Sequence, residues 1–353
     1  MRMISGRTLR TRWIRSLVIY CALIFLFVAV DHMLYSRQKH HRRTHAAKTH
    51  HKTHDPKRPP HHPKHLHRAN VLVLSSTGRS GSSFLAETLA SRGRNVYLVE
   101  PVRSLPEAQR EDEHAVRDEL QACFRCDLRW EFFHQGDRPS SSIRHPYTFK
   151  KDFKSVDFER IKGYCHQEPL RIVKTIRTRL AWVTELLQVD PNLKVIHLVR
   201  DPRGSLKSAA KVNWQMDPKK TCSEVMEDLQ ARKEMEKIYP NRYLFVKYED
   251  LARDPFKKTV DIFRFLRGKS VQLPKRVQKY LWKHTTNWHK VQKPFGTHRP
   301  SEKIYQHWRS TISEAELNTY EAACGDVIHA LGHRIFGSEK MARNLTLSLD
   351  YNV

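Results

Sequence analysis

The 353-residue sequence is short of acidic residues and of cysteine. It has only 37 Asp and Glu against 64 Lys and Arg, which gives a formal net charge of +27 at pH 7. Such an excess favours anionic ligands, but no nucleic-acid-binding motif is recognisable, and we expect no nucleic-acid partner. Among six Cys, Cys123-Phe-Arg-Cys126 is the one Cys-x-x-Cys pair. A zinc site built from two such pairs is therefore excluded.

A hydrophobic run extends from Leu17 to Val30. Continued to about Tyr35, it approaches the ~20 residues that span a bilayer, and five Arg precede it. We therefore expect a cytoplasmic tail at 1–15 and a transmembrane signal anchor at 16–35, with the rest of the chain in the lumen. A cleaved signal peptide is the alternative. Basic residues also follow the run, so charge alone leaves its orientation open.

Residues 36–68 have almost no large apolar side chain. They contain ten His, ten Lys or Arg and four Pro, a composition that cannot bury a core and predicts a disordered stem. A solvated spacer is favoured over a metal-binding segment, although imidazole is a common metal ligand. The ordered lumenal domain is then expected at 69–353, where Asn344-Leu-Thr346 forms a glycosylation sequon that requires a lumenal location.

The five Cys beyond the hydrophobic run predict structural disulfides, because the lumen is an oxidising compartment. We expect Cys165 to pair with either Cys123 or Cys126, and Cys222 to pair with Cys324. One Cys is left over.

Short apolar or β-branched segments predict strands that are buried on both faces of a parallel sheet. They are Val71–Leu74, Val96–Val99, Arg171–Lys174, Val195–Val199 and Tyr243–Lys247. Helical patterns lie between and after them, at Ser82–Arg92, Thr178–Leu187, Arg203–Val212 and Cys222 to about Tyr239. This alternation predicts an α/β, P-loop-like three-layer fold with a central parallel sheet in a single domain.

Two further segments complete the expected fold. Ser313-Glu-Ala-Glu316 is a capping-box pattern that begins a last helix, which Gly332 closes. Residues 103–168 are polar and irregular and are expected to form an insertion on the rim. Ligands of such folds bind at the carboxyl ends of the strands.

Two segments carry the chemistry. Asn70–Ser83 runs from a strand into a loop of small and hydroxylated residues with Arg79, and Lys194–Ser208 runs from another strand through Arg200 into a helix. Each directs backbone N–H groups and a helix N-terminus at one point, which is a phosphate-binding arrangement. Two such sites predict a ligand with two separated anionic groups. The first loop lacks the Walker pattern, and Arg200 stands where a kinase would need a metal-binding acid.

These segments carry a family resemblance. Arg79-Ser-Gly-Ser-Ser-Phe-Leu85 resembles the 5′-phosphosulfate loop of the Golgi carbohydrate sulfotransferases, and Arg200-Asp-Pro-Arg-Gly-Ser-Leu-Lys-Ser208 resembles their 3′-phosphate segment. The most similar subgroup sulfates the 6-hydroxyl of galactose, N-acetylgalactosamine or N-acetylglucosamine. Further matching pieces are Tyr97–Pro101, Lys174–Arg177, Tyr248–Leu251, Thr297–Ser301 and Trp308-Arg309. The resemblance covers most of residues 70–335.

The resemblance implies that the donor is 3′-phosphoadenosine 5′-phosphosulfate (PAPS), used without a metal. The residues expected to bind it are Arg79, Ser80, Gly81, Ser82, Ser83, Phe84, Leu85, Arg200, Asp201, Arg203 and Ser208. Arg79 is also expected to be catalytic, because charge grows on the bridging oxygen as the S–O bond breaks. Glu100 is the candidate general base, and a strand-end ion pair is its alternative reading.

Other residues give weaker signals. Lys174 is expected either to face the sulfonate or to reach solvent from the sheet edge, and Arg299 either to cover the nucleotide or to lie on the surface. A His from the 284–307 region is an alternative base. His197, inside a strand, is expected to be a satisfied buried His, and Asp201 is expected to cap the helix that follows.

The expected function is transfer of a sulfonate to the 6-hydroxyl of a sugar in a glycan or glycosaminoglycan. The protein is then expected to be a single-pass type II protein anchored in the Golgi membrane. The sequence does not decide whether it forms a homo-oligomer. One alternative is a non-enzymatic lumenal protein that binds glycosaminoglycans or metal through its stem. Another is a P-loop kinase, which would need Mg²⁺.

Overall fold

The computed structural model describes residues 68–129, 134–135, 138–139, 158–268, 272–286, 296–298 and 304–351. Within these residues, no helix is both long and apolar enough to cross a membrane. The tail, anchor and stem predicted at 1–15, 16–35 and 36–68 lie outside the described residues, apart from Arg68.

The strands of the described residues form two sheets. They are β1 (Ala69–Ser75), β2 (Val96–Val99), β3 (His134–Gln135), β4 (Arg138–Pro139), β5 (Leu170–Thr175), β6 (Leu193–Val199) and β7 (Tyr243–Lys247). The main sheet has the order β2-β5-β1-β6-β7 and every pairing in it is parallel. Strands β3 and β4 form a separate antiparallel pair. The predicted α/β fold with a central parallel sheet is confirmed.

Helices connect and flank these strands. The α-helices of the described residues are α1 (Ser82–Ala90), α2 (Glu113–Arg125), α3 (Phe158–Gln167), α4 (Thr184–Val189), α5 (Pro202–Ala210), α6 (Pro218–Ile238), α7 (Tyr248–Arg253), α8 (Pro255–Arg267), α9 (Lys275–Thr285), α10 (Glu314–Ala330) and α11 (Glu339–Arg343). Short 3₁₀ helices lie at Pro101–Ser104, Glu107–Gln109, Ala181–Val183 and His307–Ser310.

Both faces of the main sheet are buried, as parallel strands require. Along β1, Val71 and Val73 belong to a cluster that includes Leu85 of α1. The alternate residues Leu72 and Leu74 belong to a cluster on the other face, which also contains side chains of α2, α4 and α6. Successive side chains of a strand point to opposite faces. The alternation therefore produces three layers.

Helix ends follow the expected capping chemistry. Asp201 caps α5 by accepting a hydrogen bond from the Arg203 amide. Ser313 and Glu316 form the reciprocal capping box of α10, and Gly332 follows that helix with a positive φ of 74°. These predictions are confirmed.

Two helical predictions are wrong in part. The 103–168 region is not simply irregular: it contains α2, whose N-cap Asp112 accepts from the Ala115 amide, and α3. Val116, Leu120 and Phe124 of α2 are buried against the core, and this tertiary contact compensates for the polar composition of the segment. The helix expected at Thr178–Leu187 begins later, as a 3₁₀ turn followed by α4.

Two disulfides fix elements at the periphery of the sheet. Cys126, just after α2, is bonded to Cys165 in α3, and Cys222 of α6 is bonded to Cys324 of α10. Cys123 is a buried free thiol. Of the two partners expected for Cys165, the structure therefore selects Cys126, and the predicted Cys222–Cys324 bond is confirmed.

Candidate active site

A cavity of about 780 Å³ lies where β1, β2, β6 and β7 end. Its wall includes eight of the residues expected to bind the donor: Arg79, Ser80, Gly81, Ser82, Ser83, Phe84, Arg200 and Ser208. Its basic lining residues are Arg79, Arg103, Arg200, Lys207 and Lys211. Among the described residues of the wall there is no Asp or Glu. The cavity is therefore cationic and suits a polyanionic ligand.

The loop after β1 is tightly built. Ser75 Oγ lies 2.6 Å from Ser80 Oγ and donates to the Thr77 carbonyl over 3.0 Å. Arg79 and Gly81 both have positive φ, of 61° and 89°. For a non-glycine residue this region costs roughly 1–2 kcal/mol, and such strain concentrates at functional sites. Gly81 is the N-cap of α1 without a side-chain cap, so the first amides of α1 are available to an anion at the cavity wall.

The segment after β6 meets this loop directly. Arg200 Nη1 donates to the Arg79 carbonyl over 2.7 Å, and Arg79 Nε donates to Ser208 Oγ over 3.2 Å. The Arg200 guanidinium lies 4.4 Å from the centre of the Tyr248 ring. A Cβ on Gly204 would lie 3.0 Å from Arg200 Nε, so the helix backbone also confines this side chain. The two segments that are predicted to bind anions thus share one cavity.

Three expected donor-binding residues do not line the cavity. Leu85 lies in α1, and its side chain is buried in the core. Asp201 and Arg203 form a fully buried ion pair of 2.8 Å, and Arg203 also donates to Glu321 over 2.6 Å and to the Arg334 carbonyl over 2.8 Å. Burial raises the pKa of Asp201, but Arg203 outweighs this effect, so the pKa is lowered and the carboxylate stays charged. Asp201 and Arg203 therefore support the Arg200–Ser208 segment from the buried core and not from the cavity wall.

Glu100 follows β2 and is engaged by two cations. Its side chain accepts from Lys174 Nζ and from Arg177 Nη1, each over 2.5 Å. Burial raises the pKa of Glu100, but Lys174 and Arg177 together lower it below its usual range. The structure thus shows the ion pair that was the alternative interpretation. Glu100 does not itself line the cavity, whereas Val99 before it and Arg103 after it do. Lys174 is buried and paired with Glu100, so the expectation that it reaches solvent is wrong.

Sequence reasoning missed several residues of the wall. The sequence places Tyr248 only in a matching segment without a role in binding, yet its ring supports Arg200 and lines the cavity. Its position at the end of β7, beside the ends of β1 and β6, was a usable signal. Trp214 also lines the cavity, and a Cβ on Gly78 would lie 2.4 Å from its indole ring. No motif around Trp214 indicates this contact.

The histidines near the site fall into two groups. His284 is stacked between Tyr280 and His298, with ring centres 3.8 Å and 3.7 Å away, whereas His307 lines the cavity. Arg299 lies outside the described residues. Within the part of the chain that the structure describes, no three His, Cys, Asp or Glu side chains are grouped to hold a metal ion.

His197 is a buried structural residue, as predicted. Its ring nitrogens lie 2.6 Å from Ser76 Oγ and 2.7 Å from the Tyr243 hydroxyl. Burial lowers its pKa to about 3, and Arg232 and Arg179 add to this effect. The ring is therefore neutral at physiological pH and holds the base of the first loop through Ser76.

Comparison with known proteins gives consistent matches. The family model described as the sulfotransferase family matches residues 71–269, more than half of the chain. Carbohydrate sulfotransferase 5 of Mus musculus is 28% identical over 80% of this chain and 85% of its own length. Carbohydrate sulfotransferase 1 of Rattus norvegicus is 27% identical over 80% of this chain and 83% of its own. Carbohydrate sulfotransferase 3 of Homo sapiens is 24% identical over 80% and 71%.

Solved structures with a similar backbone fold include the two sulfotransferases that follow. A sulfotransferase domain from the curacin biosynthetic pathway is 14% identical, with a TM-score of 0.41 over 73% of this chain and 98% of that one. Mouse sulfotransferase SULT7A1, complexed with PAP, is 12% identical, with a TM-score of 0.37 over 79% and 88%.

Proposed function

The chain belongs to the sulfotransferase family, and we propose that it transfers the sulfonate group of PAPS to a hydroxyl of a sugar. The observation that carries this proposal is the wall of the cavity, where two strand-loop-helix segments meet around basic side chains and hydroxyls without a lining carboxylate. A nucleotide with phosphates at its 3′ and 5′ ends is a ligand of the required charge. A sugar acceptor is supported by the similarity to carbohydrate sulfotransferases 1, 3 and 5.

The first loop has the donors that sulfonate transfer needs. Arg79 and the amides and hydroxyls of Ser80 to Ser83 are proposed to hold the 5′-phosphate and the oxygen that bridges it to sulfur. Negative charge grows on that oxygen as the S–O bond breaks. Fixed donors there stabilise the transition state more than the ground state.

The second segment is proposed to hold the 3′-phosphate. Arg200 has a planar guanidinium suited to forked phosphate recognition, and Tyr248 and Gly204 fix its position. Ser208 adds a hydroxyl. In the structure, Ser208 accepts from Arg79, so phosphate binding exchanges this bond for charge-assisted ones.

Glu100 is proposed as the general base. The acceptor oxygen forms a bond to sulfur, the bond from sulfur to the bridging oxygen breaks, adenosine 3′,5′-bisphosphate leaves, and the hydroxyl proton passes to Glu100. The carboxylate is charged and therefore able to accept this proton. Its ion pair with Lys174 becomes weaker when an anionic sulfonate competes for the same ammonium group.

Finer parts of the proposal rest on sequence resemblance. They are the 6-hydroxyl of galactose, N-acetylgalactosamine or N-acetylglucosamine as the target, and a type II anchor in the Golgi membrane. The His-rich segment 36–68 is then a spacer between that anchor and the domain.

Donor binding gives the most direct test. Titration of the full-length chain with adenosine 3′,5′-bisphosphate should show binding, and Arg79→Ala and Arg200→Ala should each weaken it by roughly 10- to 100-fold, the usual effect of losing a charge-assisted hydrogen bond. Arg125→Ala, an exposed arginine of α2, is the control and should bind normally. Full affinity in both cavity variants would overturn the assignment.

The reaction is tested separately with radiolabelled sulfate. Transfer from labelled PAPS to keratan, chondroitin and N-glycan acceptors should persist in the presence of a metal chelator. Phosphate transfer from ATP that the chelator abolishes would instead indicate a kinase. The acceptor that gains label identifies the sugar.

A further inference from the structure

Helix α9 exposes a row of basic side chains with an aromatic one among them. Lys275, Lys279 and Lys283 are exposed, and the Trp282 side chain is 60% exposed. Arg276 is exposed beside them, and α9 contains no Asp or Glu. We call the exposed residues Lys275, Arg276, Lys279, Trp282 and Lys283 the α9 face.

Helical geometry places these side chains on one side. Residues three and four apart are neighbours on a helix surface, so the three lysines form a line, and Trp282, three residues after Lys279, lies beside that lysine. At a rise of about 1.5 Å per residue, the lysine row is about 12 Å long. A single exposed aromatic side chain is common on protein surfaces. An exposed indole within a row of like charges is a more specific sign of a ligand-binding surface.

The fold does not need this face for its core. The opposite side of α9 contributes Val277, Leu281, His284 and Thr285 to the buried interior, where Val277 and Leu281 pack with residues of α1 and α8. The exposed side of α9 is therefore available to a partner. Since the apolar side is already occupied, α9 cannot lie in a bilayer interface as an amphipathic helix would.

Neighbouring elements add positive charge at one end of the face. Arg276 Nη1 would lie 2.7 Å from a Cβ on Gly93, just beyond α1. There, burial lowers the pKa of Arg92, and the nearby Arg267 of α8 lowers it further. The mutual effect of two arginines indicates that positive charge is crowded at this end.

A carboxylate of α1 contacts α9 away from the lysine row. Glu87 accepts hydrogen bonds from the Tyr280 hydroxyl of α9 and from Thr297, over 2.8 Å and 3.0 Å. These two hydrogen bonds therefore come from hydroxyl groups and not from the lysines of the α9 face.

The other end of α9 reaches the wall of the cavity. His284 Nδ1 lies 3.0 Å from Thr297 Oγ1, and Thr297 lines the cavity. Arg276 contacts the far end of α1 while Tyr280 packs near Phe84 at its beginning. Helix α9 therefore runs antiparallel to α1, from the region after α1 back towards the donor loop.

From this geometry we propose that the α9 face binds an anionic polysaccharide, the part of a long acceptor chain that lies outside the cavity. The lysine row matches carboxylate or sulfate groups repeated along such a chain, and the exposed indole offers an apolar surface to the carbon face of a sugar ring. The face leads to the cavity in which a hydroxyl of the same chain would react. The proposal rests on the proposed function for this last step alone.

Binding is measured with full-length protein and dextran sulfate, a sulfated glucan, with uncharged dextran for comparison. The triple variant Lys275→Gln/Lys279→Gln/Lys283→Gln keeps residues with similar helix propensity. Its matched control is Lys219→Gln/Lys233→Gln/Lys237→Gln on α6, where the lysines are also exposed. Both triples remove the same charge and leave the basic stem intact.

The α9 triple should bind dextran sulfate about tenfold more weakly than the wild type, as expected for three exposed ion pairs, whereas the α6 triple should lose much less. Trp282→Ala should also weaken binding, and its loss should persist in high salt because stacking is not screened. Equal affinities of the two triples would overturn the proposal. Equally tight binding of single-stranded poly(U) or of phosphatidylserine vesicles that depends on the same lysines would overturn the polysaccharide assignment.

Acceptor length gives a second readout. In sulfate transfer, the α9 triple should raise KM for a long anionic acceptor by about the same factor and leave KM for a disaccharide acceptor unchanged, because the short acceptor does not reach α9. An equal rise for both lengths would overturn the proposal. If the wild type transfers no sulfate at all, the proposed function fails, and lysine-dependent binding of dextran sulfate still supports the α9 face.

Discussion

The cavity depends on close contacts at single positions, and Gly81 shows this best. Its φ of 89° lies in the region that favours glycine, and a Cβ there would meet the Tyr248 ring at 2.6 Å. The same ring supports Arg200. A side chain at position 81 would thus disturb both anion-binding segments.

We therefore expect Gly81→Ala to lose most of its affinity for adenosine 3′,5′-bisphosphate, by tenfold or more, because strain of roughly 1–2 kcal/mol adds to the displacement of Tyr248. Isothermal titration measures this effect. Gly163→Ala is the control, since nothing lies within 4 Å of a Cβ at that helical position. Normal donor affinity in Gly81→Ala would show that the Tyr248 contact is dispensable.

Glu100→Gln should reduce kcat by about 10²- to 10⁴-fold, the usual contribution of a general base, with little change in donor affinity. Because Lys174 and Arg177 lower the pKa of Glu100, the wild-type rate should stay constant as the pH falls through the ordinary range of a glutamate and drop only below it. Steady-state rates from pH 4 to 8 test this expectation. Glu236→Gln, in an exposed ion pair of α6, should behave like the wild type, and an unchanged kcat in Glu100→Gln would exclude it as the base.

At the scale of elements, α5 is the helix that joins the proposed donor site to the rest of the fold. Arg203 is fully buried and links Asp201 at the start of α5 to Glu321 of α10, while the Cys222–Cys324 bond holds α10 to α6. Arg200 stands three residues before Arg203. The ion pairs of Arg203 and the disulfide of α10 therefore hold the start of α5 in place, and with it Arg200 at the cavity.

Glu321→Gln should destabilise the protein by about 3 kcal/mol, because removing one partner leaves the buried Arg203 charge poorly compensated. It should also weaken donor binding, although Glu321 does not line the cavity. Urea unfolding and titration with adenosine 3′,5′-bisphosphate measure the two effects. The control is Asp261→Asn, which breaks an exposed pair with Arg264 and should change stability by less than about 1 kcal/mol.

Element positions could be predicted from the sequence where the local pattern decides them. The bounds of β2 and β7 match because both are short apolar runs, and Arg200 and Ser208 could be placed because the Arg follows a strand and the Ser lies in the helix that comes next. The role of Arg203 could not, since its partner Glu321 is 118 residues away. Helix α2 was missed for a similar reason: its buried stripe is visible only once the core beside it exists.

For the molecule as a whole, the segment after α10 is tied back to the sheet by a buried histidine. His333 Nδ1 lies 2.8 Å from Asp350, and its Nε2 lies 3.7 Å from Glu249 of α7, which directly follows β7. Burial lowers the pKa of His333, but Asp350, Glu249 and Asp201 outweigh this effect and raise it to about 9. The folded protein therefore holds a charged imidazolium.

A folded-state pKa raised above the unfolded value contributes stability below the unfolded pKa, near 6.5 for histidine, and loses it as the pH rises to about 9. We expect the free energy of unfolding to fall by a few kcal/mol across this interval. His333→Gln should be less stable near pH 6 and should lack most of this decline. Urea unfolding at pH 6, 7.5 and 9 tests the expectation, and parallel pH curves for the two proteins would contradict it.

The disulfide between α6 and α10 has a consequence for how the protein must be made. Cys222 and Cys324 lie 102 residues apart in the sequence. In a reducing cytosol their thiols would stay unpaired, and α10, which holds Arg203 through Glu321, would lose its covalent link to α6. Protein secreted from eukaryotic cells or exported to a bacterial periplasm should be active, whereas cytoplasmic production in an ordinary bacterial strain should yield material that binds the nucleotide poorly until it is oxidised.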